Sequence, residues 1–310
     1  MTVKPLPLRA TASFVLKGSP LAFFDGVCYT RFNDVHFHEE ESNMGIIKEY
    51  FGIGGYIREP SGAYSWQHLT FVGSLLVAMV ALAVWLGLRN KKRDFGTQNR
   101  VMIRSALLID GLELIKIGIA CYNSHVSGDP WYDGILYNLP LFLCSIMLIA
   151  IPLAAFTKGR LREVGADFVA LFGILGAVAG TVGAAQNYSA YPVLGFDNMV
   201  SGFTHSISGF TSLYVMIVGL ARLKKQNVLP CLALLFGFCG VAYGVNHLLD
   251  YNYMFLMAGD GTPYDIAYNL VGGSPLWYPV LVVALFVAYM AIFYAVAHLI
   301  RSKKKEKITV

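Results

Sequence analysis

The stretch 66-WQHLTFVGSLLVAMVALAVWLGLRNKKR-93 decides the fold. Residues 66–88 contain no Asp, Glu, Lys or Arg. At about 1.5 Å of rise per residue, such a run is long enough to cross the roughly 30 Å hydrocarbon layer of a bilayer as a helix. Arg89, Lys91, Lys92 and Arg93 follow at once, and a basic cluster at the end of an apolar span marks the cytoplasmic side.

The rest of the chain agrees. Of its 310 residues, 56% are hydrophobic and only 14% charged, where a soluble domain carries about a quarter charged residues. That deficit excludes a soluble enzyme, a nucleic-acid binder and a disordered chain. An aromatic content of 14% suits many positions at the membrane interface. An all-α, multi-pass protein of the cell (cytoplasmic) membrane is expected.

Seven stretches read as transmembrane helices: 66–88, 101–121, 135–156, 167–185, 198–221, 228–249 and 275–300. Basic residues fall on one side of them. Arg89, Lys91, Lys92, Arg93 and Arg100 lie in one loop, Lys158, Arg160 and Arg162 in the next, and Arg222, Lys224 and Lys225 in the third. With Arg301, Lys303, Lys304, Lys305 and Lys307 of the tail, they make two thirds of the 24 Lys and Arg. The alternate loops, 122–134, 186–197 and 250–274, hold neither residue type. The N-terminus is therefore expected outside and the C-terminus in the cytoplasm. The net charge of +5 is a topology signal, and no nucleic-acid partner is expected.

Three parts follow. Residues 1–64 form an extracytoplasmic segment with a short interfacial helix near 44–52. Residues 65–300 form the membrane domain, and 301–310 a basic tail. Leu21–Phe24 is too short for a signal-peptide core or a span. There is no internal repeat. The five cysteines show no metal-type spacing. Cys231 and Cys239 sit in apolar runs, and Cys28 and Cys121 can meet on the outer face. His36 and His38, followed by Glu39, Glu40 and Glu41, read as a solvated acidic surface. No metal and no cofactor are expected.

Polar residues within spans tend to face an interior or a cavity. The second span carries Asp110, Glu113 and Lys116, the third Asn138 and Cys144, and the fifth Thr204, His205, Ser206 and Ser208. Asn246, His247 and Asp250 close the sixth, and His68 opens the first. Glu113, Cys144 and His205 come out at roughly 10–13 Å below the outer ends of their helices. An outward-facing polar cavity is the reading. Each residue also has a plainer role: Glu113 and Lys116 at i,i+3 can neutralise each other, and Asp110 can pair with Arg104. His205 can anchor helices, Cys144 can pack as a core thiol, and the 246–250 group can organise the loop that follows. Gly173, Gly176, Gly180 and Gly183 form a small-residue face for close helix approach, with a homo-oligomer contact as the alternative. Pro140 and Pro152 bracket the third span and can bend it.

The run Asn138-Leu139-Pro140-Leu141-Phe142-Leu143-Cys144-Ser145 resembles the LPLHLC motif of the YwaF-like seven-helix integral membrane proteins of bacteria. Asn246-His247-Leu248, Asn252–Leu256 and Pro275-Leu276-Trp277-Tyr278 resemble the end of that family, and Tyr64-Ser65-Trp66-Gln67-His68 its opening. Glu113 and His205 fall where the family places its Glu and His. The resemblance covers residues 46–300. It implies a fold similar to that of an animal membrane acyltransferase remodelling ether phospholipids, and more distantly to the androgen-induced membrane hydrolases of fatty-acid esters. In the acyltransferase a cysteine after the proline of the third span works with a later histidine. Here Leu141 follows Pro140, Cys144 comes one helical turn on, and Phe142 stands where the motif has His.

Three functions compete. In a lipid acyltransferase or ester hydrolase, with membrane lipids as partners, Cys144 is the nucleophile, His205 the base and Glu113 or Asp110 an orienting carboxylate; Asn138, Asn246 or His247 serves the oxyanion. The alternative is a proton-coupled transporter or ligand-binding protein using Asp110, Glu113 and Lys116. No broken helix is legible, which speaks against transport, and the last span has no lysine for a retinal Schiff base. The third is a scaffold in which polar residues only bind helices together.

Overall fold

A computed structural model describes residues 43–309; the 21–24 run, Cys28 and the His36/His38 group lie outside the described residues. Eleven α-helices follow one another, and no strand occurs among the described residues. They are α1 (Asn43–Phe51), α2 (Trp66–Asn90), α3 (Phe95–Val126), α4 (Asp133–Leu136), α5 (Met147–Phe156), α6 (Gly159–Thr181), α7 (Ala185–Ala190), α8 (Phe196–Val218), α9 (Val228–Leu249), α10 (Tyr264–Leu270) and α11 (Trp277–Thr309).

Local chemistry sets the ends of these helices. The Ser65 side chain accepts from the His68 N–H to start α2, and Asp94 accepts from Thr97 N–H to start α3, each meeting one of the donors a helix leaves unpaired. Asp94 is exposed, and its hydrogen bonds from Thr97 hold its carboxyl below the usual range. Gly219, at φ 82°, ends α8 in the left-handed conformation that glycine adopts without strain.

Four helical stretches among the described residues are long and apolar enough to cross a membrane: Trp66–Asn90, Gly159–Ala190, Lys225–Leu249 and Trp277–Ile300. Two further helices have the length with a more polar make-up. α3 runs for 32 residues but carries Arg104, Asp110, Glu113 and Lys116. α8 has 23 residues and hides its polarity. Ser208 and Thr211 hydroxyls return to carbonyls of their own helix, Thr204 and Ile207, and Ser212 donates to Ala170 O of α6 at 2.9 Å. Satisfied in this way, a serine- and threonine-rich helix can sit at the centre.

α8 packs on α6, α2 and α3, while α5 fills the angle between α6 and α3. Phe168, Phe172, Tyr214, Met147 and Ile151 are fully buried there. At the basic end, Asn99 donates to Ala155 O of α5 and Gln98 to Asn90 O of α2. Asp167 of α6, 1% exposed, accepts from the backbone N–H groups of Arg222, Leu223 and Lys224 and from the Asn227 side chain. One buried carboxylate thereby holds the whole α8–α9 turn.

The stretch 135–156 differs from its expectation as one continuous helix. α4 ends at Leu136, α5 begins at Met147, and residues 137–146 between them form turns. Pro140 has no N–H to continue a helix. Leu141 N–H bonds back to Leu139 O, and Ser145 Oγ both accepts from Phe142 N–H and donates to Phe142 O. A broken helix is therefore present, and hydropathy alone could not reveal it because the broken residues are apolar.

Candidate functional site: a thiol–imidazole pair in a helix break

Cys144 lies within this break, in the 143–146 turn that feeds α5. The N–H groups of Leu143, Cys144 and Ser145 have no backbone acceptor among the described residues. Those of Cys144 and Ser145 lie near the Cys144 sulfur. Free N–H groups gathered before a helix favour negative charge.

Facing the thiol is His205 of α8: Gly176 and Gly180, one turn apart on α6, receive the Cys144 backbone and the His205 ring, and the two side chains are near enough to act on each other electrostatically. The imidazole is held by its own helix: Nδ1 lies 2.6 Å from Ser201 O. A carbonyl only accepts, so Nδ1 carries the proton and Nε2 keeps its lone pair. The i−4 carbonyl of Ser201 thus fixes the tautomer that can take a proton from the thiol. Both residues are partly buried.

α6 makes room for the pair with glycine. A Cβ on Gly180 would fall inside the His205 ring, against Cδ2 and Nε2, and a Cβ on Gly176 would stand 3.1 Å from Cys144 Cα. Gly173, on the same face, lies against Ser208 O and Ser212 Cβ of α8. These three glycines are occupied inside the chain by α8 and the Cys144 turn.

α3 supplies the charge. Lys116 Nζ and Glu113 Oε1 are 3.2 Å apart, with side-chain exposures of 22% and 14%. Lys116 is close enough to act electrostatically on His205, and Tyr264 of α10 is similarly near Cys144. Glu113 therefore partners Lys116, and the atom orienting His205 is the Ser201 carbonyl. Asp110 is partly buried, and its Oδ1 has no hydrogen-bond partner among the described residues.

The other polar candidates do structural work. His68 is fully buried, donates from Nε2 to Thr181 O, accepts from Tyr64 N–H and stacks on Tyr188 at 3.8 Å. Asn138 donates to Gly134 O at 2.8 Å. Asn246 clamps Tyr253 from both sides, accepting its N–H at 2.6 Å and donating to its carbonyl at 3.0 Å. His247 is exposed against Tyr243, and Asp250 ends α9 at φ 52°. Ser201, Ser145 and Tyr264 went unread in the sequence. Only Ser201 left a trace, since it stands four residues before His205 on one helix face.

This fold and this pair define a protein of membrane type, all-helical among the described residues, whose thiol and imidazole meet in the turns between α4 and α5. The chain belongs to the TMEM164 family, a family of membrane proteins, whose model matches residues 63–294. The match takes in Cys144, His205, Glu113 and Lys116. No curated protein sequence and no solved structure matches the chain.

Proposed function

We propose that the chain is a seven-span membrane protein that transfers or hydrolyses lipid acyl groups through a thioester on Cys144. The observation that carries this reading is the juxtaposition of Cys144 and His205 over Gly176 and Gly180 of α6, with His205 Nδ1 pinned to Ser201 O. His205 Nε2 takes the thiol proton, and the thiolate adds to an ester carbonyl. The N–H groups of Leu143, Cys144 and Ser145 serve the oxyanion, in place of Asn138 and Asn246, whose amides are bonded within the fold, and of His247, which is exposed. The imidazolium returns its proton to the departing alkoxide. A hydroxyl acceptor, lysolipid or water, then gives its proton to His205 and attacks the thioester, restoring the thiol. The resemblance in motif order to the YwaF-like proteins supports the fold; with Leu141 after Pro140 and Phe142 in place of the motif's His, the chemistry rests on the Cys144–His205 pair itself.

Intact-mass spectrometry of the purified protein after incubation with phospholipid tests this. A hydroxylamine-sensitive acyl adduct is expected on the wild type, absent from Cys144→Ala and greatly slowed in His205→Ala. Equal lipid turnover in all three would sink the reading.

A second reading rests on the broken span and on the unpartnered Asp110 Oδ1. Broken helices and intramembrane carboxylates also belong to proton-coupled transporters and ligand-binding bundles. Substrate-dependent proton flux in liposomes, abolished by Glu113→Gln and retained by Cys144→Ala, would favour it.

A further inference from the structure

Residues 51–64 cross the end of the bundle that faces away from the basic loops. Phe51 O accepts from Asn123 Nδ2 in the last turn of α3 at 3.2 Å, and the Phe51 ring lies 5.0 Å from that of Phe196, the first residue of α8. Tyr56 Oη donates to Asp197 Oδ2 of α8 at 2.8 Å. Ala63 N–H donates to Ser189 Oγ of α7 at 3.3 Å, and Tyr64 N–H to His68 Nδ1 of α2 at 3.0 Å. This strap ties α3, α8, α7 and α2 together in the order in which it meets them.

The Cys144–His205 pair lies a short way beneath it. Asp197, Ser201 and His205 are four residues apart, in one row on the surface of α8, and His205 stands about 12 Å along the axis from Asp197. Its ring meets Gly180 one residue inside the end of α6, and Thr181 at that end accepts from His68. Tyr56 is the strap's fastening. The ring fills a slot between Gly52 and Gly195, where an added Cβ would stand 2.7 and 2.9 Å from ring carbons. On either side of it the chain can turn: Gly54, Gly55 and Gly62 have φ of 79°, 99° and 88° with nothing within 4 Å of an added Cβ, a backbone that glycine adopts freely. A cleft of about 440 Å³, lined by Tyr56, Ile57, Arg58, Glu59, Pro60 and Ser189, flanks the strap and leaves it room to swing.

We propose that residues 52–64 are a lid that closes the aqueous route to Cys144 from this end of the bundle, with Tyr56 on Asp197 as its latch. Opening requires the loss of one hydrogen bond to a carboxylate and the departure of one ring from its slot, while the glycines on either side absorb the change in backbone. Closed, the lid keeps water and polar solutes away from a thiol and an imidazole that act on each other more strongly when dry. The lid holds whether or not Cys144 carries an acyl group, because it concerns access to the thiol and not its chemistry.

The test reads the reactivity of Cys144 directly. The full-length protein in lipid nanodiscs, in a Cys28→Ser, Cys121→Ser background, is treated with a positively charged methanethiosulfonate, which modifies thiols it can reach through water and does not enter lipid. Intact mass with peptide mapping follows Cys144. Modification is expected to be slow in this parent and about tenfold faster in Tyr56→Phe, which removes only the latch oxygen. Gly195→Ala, which fills the slot and leaves Tyr56 itself unchanged, is expected to speed it as well. Equal rates in all three proteins, or a parent Cys144 that reacts as fast as a free thiol, would overturn the proposal. So would faster modification accompanied by labelling of the buried Cys231 and Cys239, since that pattern reports a general loosening of the bundle.

Discussion

Gly180 and Gly237 both sit in long helices, yet an added methyl meets opposite surroundings. At Gly237 of α9 nothing lies within 4 Å, while at Gly180 of α6 the methyl would enter the His205 ring. Alanine is the better helix former by about 1 kcal/mol, so Gly237→Ala is expected to raise Tm slightly with adduct formation unchanged. In Gly180→Ala overpacking of about 1–3 kcal/mol opposes that gain. The ring can give way only by leaving Ser201 O or the Cys144 sulfur. Gly180→Ala is therefore expected to lose the acyl adduct far out of proportion to any fall in Tm. Thermal unfolding and intact mass on the same samples read both. The sequence displayed the glycine stripe, and its spacing was legible as close approach. That the approaching group is an imidazole was not, because the spacing of one helix carries no information about which helix comes to meet it.

Elements are held by a few buried polar side chains. Asp167 shows this best, since it gathers three consecutive backbone N–H groups and the Asn227 amide. Removing the carboxylate in Asp167→Ala leaves the buried Leu223 N–H and Asn227 amide without their acceptor, at a cost of about 2–4 kcal/mol. Limited proteolysis is expected to cut the 219–227 turn faster in Asp167→Ala. A rate equal to that of the wild type would show that the turn is held by the Glu163–Lys224 ion pair instead, at 2.7 Å. Asn246 works the same way at the other end of α9, gripping Tyr253 through both hydrogen-bonding groups. The next residues, Met254 and Phe255, have φ of 57° and 54°, a conformation that side chains resist and that surrounding contacts must impose. Phe255 packs on Phe142 and Tyr264, which joins this loop to the Cys144 turn. The stretch 135–156 is where hydropathy misled. Apolar residues from 135 to 156 satisfy a transmembrane reading whether helical or broken, and the break depends on Pro140 together with the Ser145 hydroxyl.

For the whole molecule, charge asymmetry predicts which way the bundle faces. With Lys and Arg confined to alternate loops and the tail, a fluorescent protein fused after Val310 is expected to fold in the cytoplasm. A cysteine-reactive, membrane-impermeant reagent should label a cysteine placed at Asp129, in a Cys28→Ser, Cys121→Ser background, from outside. The reverse pattern would invert the proposed topology and put the Cys144–His205 pair in the cytoplasmic half. Hydropathy, helix length, the basic loops and the presence of a thiol, an imidazole and a Lys–Glu pair were all fixed by the order of residues. They depend on transfer from water to lipid and on neighbours within one helix, which are local quantities. The tertiary structure alone decided the rest: Cys144 and His205 meeting over Gly176 and Gly180, Ser201 O selecting the tautomer, and Asn138, Asn246 and His68 spent on the fold. Those outcomes depend on how α3, α6 and α8 cross and on where the third span breaks, and each is set by packing between residues far apart in the chain.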